Sequence, residues 1–373
     1  RQVGKTYLLH QFGSAHFRHV HSFNFEETPS LTQIFKGSLS PTTLLPQLSL
    51  ASGVEIDLNS DLLIFDEAGE CTECLTALKY FAEQLPELAI CAAGSLLGVR
   101  LSGSYPVGKV QHLALYPMTF FEFLEAYNKP LLNACKQSIN DLTTDPFTHS
   151  QALSAFQEYC VTGGLPKAVE MYLKHLPQLP LAFESTRQIQ SDLIKAYQSD
   201  FVKHAGKVRA VDINAVFDNV AAQLGSTVDL SVKRYKFTKV IPGKKGFSEL
   251  QGPIHWLTQA GLIHKVKLIK RPELPLESFT SDNLFKLYLF DSGILASLLN
   301  LAPKVIYENN YGMTKGYYAE NIVLQNLLSG TNSKFYCWTE NQAEIEFVCT
   351  ANDESVIPIE VKSSHRTRAR SLE

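Results

Sequence analysis

The first six residues, Arg1-Gln2-Val3-Gly4-Lys5-Thr6, read as the last two-thirds of the pattern G-x-x-x-x-G-K-[ST]. The pattern is restrictive because its chemistry is specific. Successive backbone N–H groups cradle phosphates, the lysine reaches the outer phosphates, and the Thr hydroxyl holds Mg²⁺. The first glycine would lie two residues upstream of Arg1, so a truncated chain is expected. Tyr7 to Gly13 continues as a helix with Leu8, Leu9 and Phe12 on one face, and Gly13 is expected to cap its end. A helix that starts at the loop turns its positive dipole end toward the phosphates.

A second run agrees with the first. Leu62-Leu63-Ile64-Phe65 is wholly apolar and ends in Asp66-Glu67. Such a run reads as a strand buried on both faces of a parallel sheet, with the two acids at its carboxyl end, where ligands gather. Asp66 would hold Mg²⁺, and Glu67 would orient and activate the attacking water. A strand ending in a solvated acidic turn is the plainer alternative. Ala89 to Gly94 reads as a third strand. It ends in Ser95, placed either to watch the γ-phosphate or simply to cap the strand.

The 373 residues suggest roughly two to four domains. A net charge of −3 gives no global electrostatic case for nucleic acid, so any such case must be local. No apolar run approaches the ~18 residues of a membrane span. The cysteines are odd in number and irregularly spaced. Cys71-Thr72-Glu73-Cys74 has no second pair to complete a zinc site, so reduced cytosolic thiols are expected.

Residues 1–115 read as an α/β domain. Pro117 breaks that pattern, and helical periodicity dominates from 116 to 205, with a bend at Gly163-Gly164-Leu165-Pro166 that reads most simply as an inert loop. Residues 206–275 read as a winged helix-turn-helix. Ile213 to Leu224 and Glu249 to Ala260 are its helices, and Leu262 to Ile269 is a strand with exposed cations. Lys233, Arg234, Lys236, Lys239, Lys244 and Lys245 lie between the helices, interleaved with Tyr235 and Phe237. This stretch is either a phosphate-contacting patch or a solvated loop.

The last segment, 276–373, carries a second constellation. Lys286 to Asp291 reads as a strand and Gly316 to Leu328 as a helix, with Glu320 on its apolar face. A carboxylate there is costly unless it is paired or metal-bound, or sits in the helix's first turn. Ala343 to Val348 and Val356 to Lys362 read as strands joined by a turn near Asp353. With that turn, Glu346 lies opposite Glu360; a slip of one residue would separate them. Glu346 and Glu360 would then hold Mg²⁺, Lys362 would neutralise charge on a scissile phosphate or position the water, and Glu320 would complete the shell.

The ordered segments RQVGKT, LLIFDEAGE, AAGSLLG, LYPMTFFEFLE, TGGLPKAVEMY, KRYKFTKV, WLTQAGLI, FKLYLFDSGIL, GYYAENIVLQNLL, AEIEFV and IPIEVKSS cover nearly the whole chain. Together they resemble a family of prokaryotic AAA+-like ATPases with a C-terminal domain of the restriction-endonuclease-like, PD-(D/E)xK type. The resemblance implies an α/β protein: a P-loop parallel-sheet ATPase core at 1–115, a helical lid at 116–205, a winged helix at 206–275 and a nuclease-like α/β domain at 276–373. It implies that Gly4, Lys5 and Thr6 bind ATP, that Asp66 and Glu67 are the Walker B pair, and that Ser95 is the sensor. Glu320, Glu346, Glu360 and Lys362 fall on the nuclease-like positions. The chain departs from the pattern at the absent first glycine, at Lys109 where arginine follows the glycine, and at Glu346 where aspartate is usual.

The expected protein is a cytoplasmic ATPase that uses ATP and Mg²⁺ to drive domain movement. Its partners would be DNA or RNA, through the winged helix and the C-terminal domain, and other copies of itself. Two other readings stay open: a nucleic-acid-binding module whose nuclease-like domain does not cut, and an ATP-dependent protein-interaction switch.

Overall fold

The computed structural model describes residues 2–95, 108–143, 145–225, 234–310, 312, 315–340 and 343–363. Arg1, Leu96 to Gly98, Lys233 and Ser364, all drawn on above, lie outside the described residues. The chain divides into two compact units, Arg1–Leu115 and Tyr116–Glu373.

The first unit is α/β. Its elements are α1 (Lys5–His16), β1 (His19–Asn24), α2 (Pro41–Ser52), β2 (Asp61–Asp66), α3 (Thr72–Gln84) and β3 (Ala89–Ala92). The strands are parallel in the order β1-β2-β3, with Asn24 beside Asp66 and Phe65 beside Ala92. Every residue of β2 is buried, as its unbroken apolar run requires of a central parallel strand. Leu63 and Phe65 meet Leu44, Leu48, Leu75, Leu78 and Phe81 of α2 and α3, and Phe65 sits amid Phe23, Phe25 and Phe35. Leu62, of opposite parity on the strand, lies against α1 at Gly13.

That contact corrects the reading of Gly13. The helix runs on to His16, and Gly13 lies inside it, where an added Cβ would come 2.6 Å from Val20. Its smallness lets α1 approach the sheet. Leu8 and Phe12, expected to share a face with Leu9, are about half exposed.

The second unit joins helices to a mixed sheet. The helices are α4 (Phe120–Tyr127), α5 (Lys129–Asn140), α6 (Pro146–Thr162), α7 (Pro166–His175), α8 (Leu179–Ala205), α9 (Lys207–Gly225) and α10 (Phe247–Gln259). There follow β4 (Ile263–Ile269), β5 (Thr280–Leu289), α11 (Ser292–Leu298), α12 (Pro303–Tyr307), α13 (Lys315–Gly330), β6 (Tyr336–Glu340), β7 (Ala343–Thr350) and β8 (Val356–Ile359). Thr119 and Glu122 form a capping box that starts α4 right after Pro117.

The sheet order is β5-β4-β6-β7-β8, with β4 parallel to β6 and the remaining neighbours antiparallel. The expected boundary at 275/276 falls between β4 and β5, which pair. Because β4 also pairs with β6, the β4–β5 hairpin is part of the larger sheet rather than a free wing.

The Gly163 to Pro166 bend is not an inert loop. The last four carbonyls of a helix lack intrahelical partners. Those of α6 all find donors: Tyr159 from the Gly163 N–H, Cys160 from the Tyr318 hydroxyl, and Val161 and Thr162 from the Gln190 amide. The Gly164 N–H donates to Asp291 at 2.7 Å, and the Gly164 carbonyl accepts from Met118 at 2.7 Å. The sequence places Asp291 at the end of a strand. It lies two residues past β5, and its carboxylate caps α11 by accepting from the Ile294 N–H. Asn321 spans the N–H and carbonyl of Leu289, and Gln325 accepts from the Ser292 N–H. The helical segment and the C-terminal segment thus share one buried polar network.

Burial pushes the Asp291 carboxyl up to about 6, while the Gly164, Ile294 and Gly293 N–H groups pull it down. The raised value gives stability that is full below about pH 4 and is lost as pH rises through about 6, roughly 3 kcal/mol in all. In denaturant titrations, the stability of the wild type minus that of Asp291→Asn should therefore shrink from pH 4 to pH 7. A difference that stays flat across this range contradicts the assignment.

Candidate functional site

The start of α1 and the end of β2 converge in the first unit. Gly4 holds φ 90° at the N-cap of α1, a left-handed conformation that glycine adopts without steric cost. It turns the chain so that Lys5 and Thr6 begin the helix. The Thr6 hydroxyl donates to Asp66 Oδ2 at 3.0 Å. Asp66 is buried, and the Glu67 N–H donates to its other oxygen, Oδ1, at 3.0 Å.

Asn24, which the sequence did not single out, ends β1 beside Asp66 in the parallel register. Its amide lies 3.5 Å from Asp66 Oδ2, and its own Oδ1 accepts from the N–H groups of Glu26 and Glu27. The signal was an Asn at a strand end followed by a turn, which carries no chemistry until the strands are paired.

Glu67 sits at φ 46°, sparsely populated for a residue with a Cβ. The next N–H, that of Ala68, bonds the Ala93 carbonyl and carries the sheet pattern past the strand end. The Glu67 carboxylate accepts from the Ser95 hydroxyl at 3.1 Å and its N–H at 3.3 Å. The structure therefore brings Gly4, Lys5, Thr6, Asp66, Glu67 and Ser95 to the same end of the sheet. The Thr6 hydroxyl and the Asp66 carboxylate are hard oxygen donors already in contact, and they fit Mg²⁺ held directly or through water.

In the second unit, β7 and β8 pair as the turn at Asp353 demands. Phe347 faces Ile359, so Glu346 and Glu360 occupy the next opposed positions. Glu346 Oε2 accepts from the Val361 N–H at 2.9 Å. Burial pushes its carboxyl up, and the Glu320 charge adds to that. Glu360 forms an ion pair with Lys362 through one oxygen, and its Oε2 is buried without a partner among the described residues.

Glu320 belongs to a different set. It accepts from the Tyr288 hydroxyl at 2.6 Å and from the Lys286 ammonium at 3.2 Å. Lys286 is only 5% exposed and also lies 2.6 Å from Glu344 Oε1. Burial alone would lower the Lys286 pKa, but the charges of Glu320 and Glu344 outweigh it and hold the ammonium protonated. The sequence offered Lys286 only as part of a strand. An arm that reaches across the sheet is invisible to local pattern.

Among the described residues, no three His, Cys, Asp or Glu side chains group so as to hold a metal ion. Glu320 is engaged by Lys286 and Tyr288, while Glu346 and Glu360 occupy opposed positions at the β7–β8 pair.

The basic stretch also reads differently in space. Tyr235 is buried, stacks on Phe285 and donates to Asn219, while Phe237 packs on Phe247 and Phe285. Tyr235 thus belongs to the core, and Phe237 is half-buried against its aromatic neighbours. Lys244 pairs with Asp212 at 2.6 Å and Lys267 with Glu277 at 2.5 Å, and Lys265 lies over the Phe285 ring. Lys109, which follows Gly108, approaches Glu83 at 3.9 Å on the surface. The seven cysteines are all free thiols. Among the described residues, no helix is long and apolar enough to cross a membrane.

No curated protein matches the chain. A solved structure, the Walker-type ATPase PABY2304 of Pyrococcus abyssi, is similar at 17% identity with a TM-score of 0.47, over 80% of this chain and 89% of that one. Residues 153–305 match a domain of unknown function, DUF8612, and residues 315–373 match another, DUF4143; neither description states an activity. Residues 1–124 match the AAA domain family, which supports a P-loop ATPase domain at the N-terminal end of this chain.

Proposed function

We propose that the first unit binds ATP with Mg²⁺ and hydrolyses it. The reading rests above all on the Thr6 hydroxyl donating to Asp66, which ties the glycine-lysine-threonine turn to the acidic strand end. Lys5 places its ammonium on the outer phosphates. The first N–H groups of α1 face the same charge. Thr6 and Asp66 would hold Mg²⁺, which would supply charge neutralisation at the phosphates. Asn24 keeps Asp66 oriented. Glu67 orients the attacking water, and its bond to Ser95 sets the carboxylate's position before nucleotide arrives. Most of the rate comes from positioning and electrostatics rather than from covalent chemistry by the protein.

The test is ATP turnover by full-length protein carrying Glu67→Gln. Gln keeps an acceptor for Ser95 but cannot take a proton. ATP binding should persist while turnover falls roughly 10²-fold or more. Turnover within about twofold of wild type would remove Glu67 from the mechanism.

A further inference from the structure

The second unit buries an ammonium among carboxylates in the region where a nuclease-like domain would place its metal ligands. Lys286 reaches from β5 to Glu320 on α13 at 3.2 Å and to Glu344 on β7 at 2.6 Å. The Tyr288 hydroxyl, on the same face of β5, bonds the same Glu320 oxygen at 2.6 Å. Glu320 Oε2 therefore already has a cation and a hydrogen-bond donor. Lys362 supplies a second ammonium to Glu360, and the Val361 N–H engages Glu346.

We propose that Lys286 is the resident cation of this cluster, placed between Glu320 and Glu344, so that Glu320 ligates no metal and the domain does not cleave phosphodiesters by a metal-assisted route. Metal-assisted cleavage needs an ion with open positions for a phosphate oxygen and a water. An ammonium among carboxylates provides charge balance without those positions. It also explains how a carboxylate survives on the apolar face of α13: the pair is buried but complete. The Glu360 Oε2 atom is buried without a partner among the described residues, yet without Glu320 it belongs to a pair of carboxylates of which one already holds Lys362. This inference concerns a different unit from the ATP site and stands whether or not that site turns over ATP.

The test compares full-length wild type with Glu320→Gln, Lys286→Met and the Lys286→Met/Glu320→Gln double variant. Mn²⁺ binding, read from the free-ion EPR signal without nucleotide, should be the same for wild type and Glu320→Gln. Supercoiled plasmid incubated with Mg²⁺ or Mn²⁺ should remain un-nicked by the wild type. Lys286→Met leaves Glu320 and Glu344 facing each other, so Mn²⁺ should raise its Tm by several degrees, and the double variant should lose that response. If Lys286→Met does not fold, the first comparison and the plasmid assay decide alone. A Mn²⁺ site present in wild type and lost in Glu320→Gln overturns the proposal. So does nicking by the wild type that disappears in Lys362→Ala.

Discussion

Replacing Lys5 by alanine in the full-length protein should abolish measurable ATP turnover while leaving the fold intact. The expected loss is on the order of 10²–10³-fold, the scale on which removing one preorganised donor from developing charge acts. The lysine is a point charge aimed at the phosphates, and water entering the gap cannot replace a fixed ammonium. The fold should survive, because Lys5 opens α1 and alanine is a better helix former. Steady-state phosphate release and thermal unfolding on the same preparation separate the two effects. Turnover near the wild-type rate in a folded variant would sink the assignment of the nucleotide site.

Gly164→Ala should unfold or severely destabilise the second unit. An added Cβ would lie 2.2 Å from the Met118 carbonyl oxygen, 2.8 Å from the Met118 nitrogen and 2.7 Å from the Gln325 amide. Two of these atoms are backbone, so no rotamer change relieves the overlap. The move that would relieve it also breaks the Met118–Gly164 and Gly164–Asp291 hydrogen bonds. About 3 kcal/mol or more is expected, a Tm drop of roughly 10 °C. Gly252→Ala is the matched control. Gly252 lies within α10 with nothing within 4 Å of its added Cβ. There, the helix preference for alanine is opposed only by the following Pro253, which disfavours a Cβ before it, so the change should stay within about 1 kcal/mol either way. If the two variants melt alike, the tight packing at Gly164 carries no energetic weight.

The contrast between these glycines shows where local reading stops. Gly164 and Gly252 are both small residues beside helical sequence, and nothing in the neighbouring residues ranks them. Gly164 is fixed by Met118 and Asp291, far from it along the chain. The same holds for Tyr235 and Phe237. Interleaved with lysines they suggest nucleic acid, yet Tyr235 is buried against Phe285, and Phe237 packs on Phe285 and Phe247. Asp291 looked like a strand terminus, and its capping of α11 emerges only once that helix is in place.

The sequence by itself determined the elements whose signals are local. The apolar run of β2 forced a strand buried on both faces. Gly4-Lys5-Thr6 forced a turn into a helix, and the Asp353 turn set the β7–β8 register that opposes Glu346 to Glu360. These follow from periodicity and backbone sterics within a few residues. Tertiary structure alone decided which partners the polar groups take. It pressed α1 onto the sheet at Gly13, set Asn24 beside Asp66, drew the β4–β5 hairpin into a larger sheet, and gave Glu320 to Lys286 rather than to Glu346 and Glu360. A buried charge must be paired with whatever cation the fold brings within reach, and that cation is set by strand order and side-chain length rather than by distance along the chain.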